Sequence, residues 1–155
     1  MTIVARDNEA YRFPVSVKGV VLRGDAVVLV KNRRDEWELP GGKLELGEQP
    51  EACVTREMEE ELHLAVRPDQ LIDAWVYTIA PGTDVLVISY GCTEDSNSDA
   101  VLSDEHTALQ WIPLGDVGGL RMPEGYKSSI RRWAAMVESG KHPMTRLASD
   151  ALPAP

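Results

Sequence analysis

Residues 41–64, "GGKLELGEQPEACVTREMEEELHL", hold seven glutamates among 24 positions, four of them within "REMEEEL". On a helix, like charges at i,i+3 and i,i+4 destabilise by a few tenths of a kcal/mol each. Pro50 is well placed as a first helical residue, and the pattern predicts a helix from there to about His63. At 100° per residue, Val54, Met58 and Leu62 form an apolar stripe of roughly 80°. Glu57, Glu60 and Glu61 occupy an adjacent arc of roughly 100° that begins at the edge of the stripe. Such a helix packs by one side and presents three carboxylates together beside the packed seam. Two readings of it stand side by side: a solvated acidic face, or a seat for a divalent cation. Oxygen-only ligands would suit Mg²⁺ or Mn²⁺ and not zinc.

The neighbouring residues add to the second reading. Gly41 and Gly42 follow Pro40 and precede the helix, so the chain bends tightly where a main-chain carbonyl could also reach a cation. Arg56 sits one residue before Glu57 and four before Glu60, placed to pair with Glu60 or with Glu48 at the helix start. Upstream, Arg33 and Arg34, with Lys31, are either phosphate contacts or the polar end of an exposed hairpin. Trp37 is a base-stacking candidate, or an aromatic residue of the core.

The elements that must position these residues are legible in outline. "PVSVKGVVLRGDAVVLVKNRR" predicts two strands around a turn at Gly24-Asp25. "LIDAWVYTIA" and "DVLVISYGC" predict two more, separated by "PGT", and "ALQWIPL" a shorter one that Pro113 ends. A second helix over "EGYKSSIRRWAAMVESG" places Tyr126, Ile130, Trp133, Ala134 and Val137 on one face, and Gly140 stops it. Trp75 and Trp111 are expected in the core along with Trp133. Strands, helix, strands, helix give an α+β class: a mixed sheet with helices on its faces.

A length of 155 residues suits one domain, expected over 1–140, followed by a loose tail over 141–155 with three prolines. A formal net charge of −9 argues against nucleic acid or a membrane surface as partner, since both are anionic. A small anionic substrate stays compatible if metal ions neutralise the meeting of charges. No apolar run approaches the roughly 20 residues of a membrane span, and the N-terminus does not read as a secretory signal. Cys53 and Cys92 are in no metal-ligand spacing and are expected as buried thiols of a reducing compartment, so the expected location is cytoplasmic.

Gly42, five residues, Glu48, seven residues, then "REMEEELHL" resembles the signature of the Nudix hydrolases. Gly42, Glu48, Arg56, Glu57, Met58, Glu60, Glu61 and Leu64 match its fixed positions, and His63 stands where the family has its last glycine. That glycine leaves the helix with φ > 0, which histidine tolerates better than most residues. "WELPGG" at 37–42 and "SDEHTALQWIPL" further on are similar to the family's approach to the box and to its late strand. The resemblance implies an α/β/α sandwich and hydrolysis of a nucleoside diphosphate linked to another group X, giving a nucleoside monophosphate and phospho-X. It further implies Glu57, Glu60 and Glu61 as ligands of Mg²⁺ or Mn²⁺, with more than one ion when substrate is bound and the Gly41 carbonyl as a further partner. Arg56 would orient Glu57, and Glu48 would pair with Arg56 or hold a metal-bound water. The general base is a box glutamate or a later residue: Glu105, which is also a candidate ligand, or His106, whose neutral imidazole can take a proton near pH 7. A polar loop without catalytic duty is the plain alternative for this pair.

Substrate markers act mainly by absence. No upstream coenzyme A motif precedes residue 41, no proline-rich NADH-type array follows, and Pro81 and Gly82 stand where dinucleoside-polyphosphate hydrolases have tyrosine. Pro81 lies close to the position of the proline of ADP-ribose pyrophosphatases. ADP-ribose-like sugar nucleotides are therefore expected ahead of (deoxy)nucleoside triphosphates. A non-catalytic nucleotide-sensing module is the competing class, and a homodimer is a further expectation, since many members of the family pair.

Overall fold

The computed structural model describes residues 11–95 and 98–140; the tail expected over 141–155 lies outside the described residues. Strands β1 (Val15–Arg23), β2 (Ala26–Lys31), β3 (Trp37–Glu38) and β4 (Gly41–Lys43) precede helix α1 (Pro50–Leu62). Strands β5 (Val66–Ala80), β6 (Thr83–Glu94) and β7 (Ala108–Pro113) follow, then a 3₁₀ turn (Leu114–Gly119) and helix α2 (Glu124–Ser139). They form a seven-stranded sheet with the order β3-β2-β1-β6-β5, β4 pairing with β1 and β7 with β2. β1 runs parallel to β6 and antiparallel to β2 and β4, so the sheet is mixed, as expected.

Period two sorts the strand side chains between two cores. Val17 and Val21 of β1, with Val28 and Val30 of β2, face α1 and pack on Val54, Met58 and Leu62, the stripe read from the sequence. Val20, Val27 and Leu29 face the other way and pack on Tyr126, Ile130 and Trp133 of α2. Both strands are buried on both faces, hence their near-continuous valine and leucine. The α2 face differs from expectation at one end: Val137 is 41% exposed, and Met136 packs on the core instead. Trp133 is buried as predicted, whereas Trp75 and Trp111 are half-buried; Trp75 sits edge-on to Tyr126, and the Arg23 guanidinium lies over the Trp111 ring.

The first hairpin turns at Gly24-Asp25, with Arg23 opposite Ala26. β5 starts earlier than its apolar pattern indicates, because Pro68 is carried in an edge strand whose register shifts between Pro68 and Gln70. The two-residue β3 and the three-residue β4 went unread; β4 is glycine-rich, and its pairing with β1 is a tertiary fact.

Helix α1 ends at His63, in the left-handed region at φ 54°. Its N–H and that of Leu64 reach back to the carbonyls of Glu59 and Met58, closing the helix as a glycine would. A left-handed L-residue costs about 1–2 kcal/mol. His63→Gly is therefore expected to raise the melting temperature by roughly 2–4 °C. An unchanged or lowered melt would show that the histidine side chain compensates.

Candidate active site

One side of α1, the β4 segment, the β2–β3 turn and the loop before β7 enclose a cleft of about 640 Å³. Its base is organised by one guanidinium. Arg56 Nε and Nη2 donate to the two oxygens of Glu48 at 2.7 and 2.9 Å, and Nη1 donates to Glu57 Oε1 at 3.0 Å and Glu60 Oε2 at 3.1 Å. Nη2 also reaches the Lys43 carbonyl, which ties the helix to the loop leaving β4. Arg56 thus meets both partners expected of it, and the bidentate bond holds Glu48 ionised, with its pKa lowered to about 2.

The three helix carboxylates differ in environment in the order that the helical arc dictates. Glu61, nearest the apolar stripe, is buried, whereas the Glu60 side chain is 60% exposed. Burial pushes Glu61 up to about 7, although Lys18, His106 and the Gly41 N–H all favour its ionised form. Glu57 is also raised, first by burial and then by Glu60 and Glu105, against the pull of Arg56. Gly41 N–H donates to Glu61 Oε2 at 3.2 Å. At Gly42 a Cβ would come within 2.5 Å of the Glu57 carboxyl, so only glycine lets the carboxylate lie against β4.

The opposite wall comes from further along the chain. The loop before β7 is pinned at Val101 N–H to Leu62 O and at Thr107 N–H to Lys31 O, both 2.9 Å. Between these anchors Glu105 and His106 reach the cleft lining, with Arg33 and Arg34 of the β2–β3 turn. The Asn32 side chain shapes that turn by accepting from the N–H groups of Arg34 and Glu36. His106 Nε2 lies 2.9 Å from Glu38 Oε1, and Asn32 Nδ2 donates to Glu38 Oε2 at 3.2 Å. Burial alone would raise Glu38, but the His106 bond, the Lys18 charge and the Asn32 bond outweigh it and bring it down to about 2.

Arg33, Arg34, Gly41, Arg56, Glu57, Glu60, Glu61, Glu105 and His106 therefore line one cleft, and Glu48 reaches it through Arg56. Trp37 does not line it: the ring packs on the α2-side core, with the Lys31 ammonium 5.2 Å from its centroid. Sequence reasoning missed Glu38 and Lys18. Both had a signal, a charge interrupting an apolar stretch in "WELP" and in "VSVKGVV". Among the described residues no three carboxylate, imidazole or thiol side chains form a ready metal cage.

A mixed sheet between two helices, with a glycine loop and a glutamate-rich helix bordering one cleft, is the architecture of a nucleotide pyrophosphohydrolase. The NUDIX domain model matches residues 12–134, and the chain belongs to the Nudix family. A MutT-like protein of Streptomyces ambofaciens is 35% identical over 142 residues, covering 90% of this chain and 88% of that protein. An uncharacterised Nudix hydrolase of Bacillus subtilis is 32% identical over 114 residues, covering 70% and 72% respectively. The crystal structure of a MutT protein from Methanosarcina mazei superposes with a TM-score of 0.70 at 21% identity, over 81% of this chain and 96% of that one. The names of further relatives and neighbours span ADP-ribose pyrophosphatase, 8-oxo-(d)GTP phosphatase and Ap4A hydrolase. This chain is a Nudix hydrolase acting on pyrophosphate bonds, in a family that is generally divalent-metal dependent. No described helix is long and apolar enough to cross a membrane.

Because burial raises Glu61 from 4.5 to about 7, the folded metal-free protein keeps a proton that the unfolded chain has lost between those values. Its contribution to stability therefore falls as pH rises through this window and levels off above it. In chelator, Glu61→Gln is expected to be more stable than the parent at about pH 8, by on the order of 2 kcal/mol. The gap should close towards about pH 5, where thermal melts should converge. Parallel stability–pH curves would contradict this account of the buried carboxyl.

Proposed function

We propose that the protein hydrolyses a nucleoside diphosphate linked to X, with Mg²⁺ or Mn²⁺ held by Glu57, Glu60 and Glu61 and the Gly41 carbonyl. The observation that carries this reading is the pair Glu57 and Glu61, two desolvated carboxylates with raised pKa values on one cleft wall. The donor set is oxygen only, which fits a hard divalent cation. When bound, such an ion supplies neutralising charge for the pyrophosphate and a more acidic water.

The chain's own residues supply the rest. Arg56 fixes Glu57 and is itself fixed by Glu48, so the carboxylates enter the reaction already oriented. Water attacks one phosphorus, the P–O bond to the bridging oxygen breaks, and the attacking water's proton passes to a base. Glu105 is the better-placed base of the two downstream candidates, since His106 Nε2 is engaged by Glu38 at 2.9 Å. Arg33 and Arg34, in the lining of the cleft, meet the phosphates. ADP-ribose-like sugar nucleotides stand ahead of (deoxy)nucleoside triphosphates as substrates, on the position of Pro81. Free, buried Cys53 and Cys92 support a reducing, cytoplasmic setting for this activity.

Product analysis with Mg²⁺ or Mn²⁺ against ADP-ribose, sugar nucleotides, dinucleoside polyphosphates and the common and oxidised triphosphates tests the reading. One compound is expected to yield a nucleoside monophosphate, with the rate in Glu60→Gln and Glu61→Gln lower by a factor on the order of 10² or more. Near-normal turnover in both variants would sink the assignment, and saturable binding without turnover would favour a sensing module. Glu105→Gln is expected to flatten the rise of rate with pH; an unchanged profile would move the base into the box.

A further inference from the structure

Glu105 reaches the cleft from a turn, and the turn needs something to hold it. Asp104 and Glu105 are its central residues, and the His106 N–H lies 3.5 Å from the Ser103 carbonyl across it. That is the long limit of a hydrogen bond, so the turn closes itself weakly. The main chain is fastened before and after it, at Val101 and Thr107. Among the described residues, one side chain of the turn is hydrogen-bonded outside it: His106, whose Nε2 lies 2.9 Å from Glu38 Oε1. The imidazole is 7% exposed and the Glu38 side chain 14%, so the bond is shielded from water. One residue away, Glu105 is near enough to Glu57 for its charge to raise the Glu57 carboxyl.

A third residue decides the chemistry of the pair. Asn32 Oδ1 is occupied by the N–H groups of Arg34 and Glu36, so its amide has one orientation, with Nδ2 donating to Glu38 Oε2 at 3.2 Å. The other Glu38 oxygen faces the imidazole, and a carboxyl brought down to about 2 has no proton to give it. Nε2 therefore carries the hydrogen. Nδ1 is buried, with no partner among the described residues. A carboxylate accepts from both sides, and an amide of the same shape does not. With its oxygen kept on Asn32, the NH2 of a glutamine would face the imidazole N–H, donor against donor. Either that bond is lost, or the ring proton moves to Nδ1, where no acceptor stands among the described residues.

We propose that Glu38 is a positioning residue, which through His106 holds the Ser103–His106 turn so that the Glu105 carboxylate stays on the cleft beside Glu57. The anchor lies 68 residues from His106 in the chain and sits in β3, opposite Val30 of β2. Glu105 is thereby referenced to the sheet and not only to its own loop. Both oxygens of Glu38 are engaged, so it acts on the reaction through Glu105. The proposal rests on the hydrolase reading, with Glu105 as base, and adds the residue that aims it.

The test joins a readout of the turn to a cycle of variants. In Glu38→Gln, without metal or substrate, the amide order parameter of Glu105 from nitrogen relaxation is expected to fall from about 0.85 to below about 0.6. That of Trp37 in β3 should not change. With Mg²⁺ and ADP-ribose, or whichever compound of the substrate panel is turned over, kcat should drop about tenfold or more while KM stays within about twofold. In a Glu105→Gln background the same change should lower kcat by less than about threefold, because the group it aims is already gone. Should Glu38→Gln fail to fold, His106→Ala cuts the same bond from the loop side and enters the same cycle. Equal losses in both backgrounds, a change in KM alone, or an unmoved order parameter would each overturn the proposal. Were the native protein to turn over nothing, the hydrolase reading would fall, and the order parameter alone would decide whether Glu38 anchors the turn.

Discussion

The site depends on a charge imbalance that the fold creates and does not cancel. Arg56 is shared among Glu48, Glu57 and Glu60, while Glu61 sits buried with only a main-chain N–H and the nearby charges of Lys18 and His106. Burial of Glu61, with a smaller contribution from repulsion by the nearby Glu57 carboxylate, disfavours its ionised form, and the protein by itself keeps Glu61 protonated up to about pH 7. A divalent cation bound there would instead stabilise the ionised carboxylates. The packing of Val54, Met58 and Leu62 against β1 and β2 holds the helix in place against that repulsion.

β1 is the element on which the site turns. It pairs with β4, bringing Gly41 and Gly42 against the acidic helix, and its opposite face carries Lys18 into the lining of an apolar cavity on the α2 side. Its parallel pairing with β6 brings Val85 and Val87 beside Val15, so the apolar cavity is walled by the same strand that holds β4 in place. Sites built on sheet and helix in this way hold their geometry better than sites built on loops alone. Arg33, Arg34, Glu105 and His106 are the exceptions, yet the loop carrying the last two is anchored at Leu62 and Lys31.

What was legible in the sequence was whatever local periodicity or spacing controls. Both helices, their caps at His63 and Gly140, the first hairpin and the order of burial along Glu61, Glu57 and Glu60 follow from 3.6-residue and two-residue repeats. The pairing of Arg56 with Glu48 was read from an eight-residue separation that the loop closes. What escaped depended on contacts between distant segments. Glu38 meets His106 across 68 residues, and nothing local marks that pairing. Lys18 interrupts a core strand, and only the fold shows that it lines an apolar cavity. Trp37 and Val137 show the converse, since each had a plausible local reading and tertiary packing decided otherwise.

The most direct test of this account is metal binding without substrate. Mn²⁺ titrated into the protein and followed by electron paramagnetic resonance, at about pH 7.5 where Glu61 is ionising, should bind saturably with small-integer stoichiometry. Glu57→Gln should weaken it by about tenfold or more. Weak, non-saturating association that is indifferent to Glu57→Gln would mean that the glutamates form only a solvated acidic face, and would contradict the account at its centre.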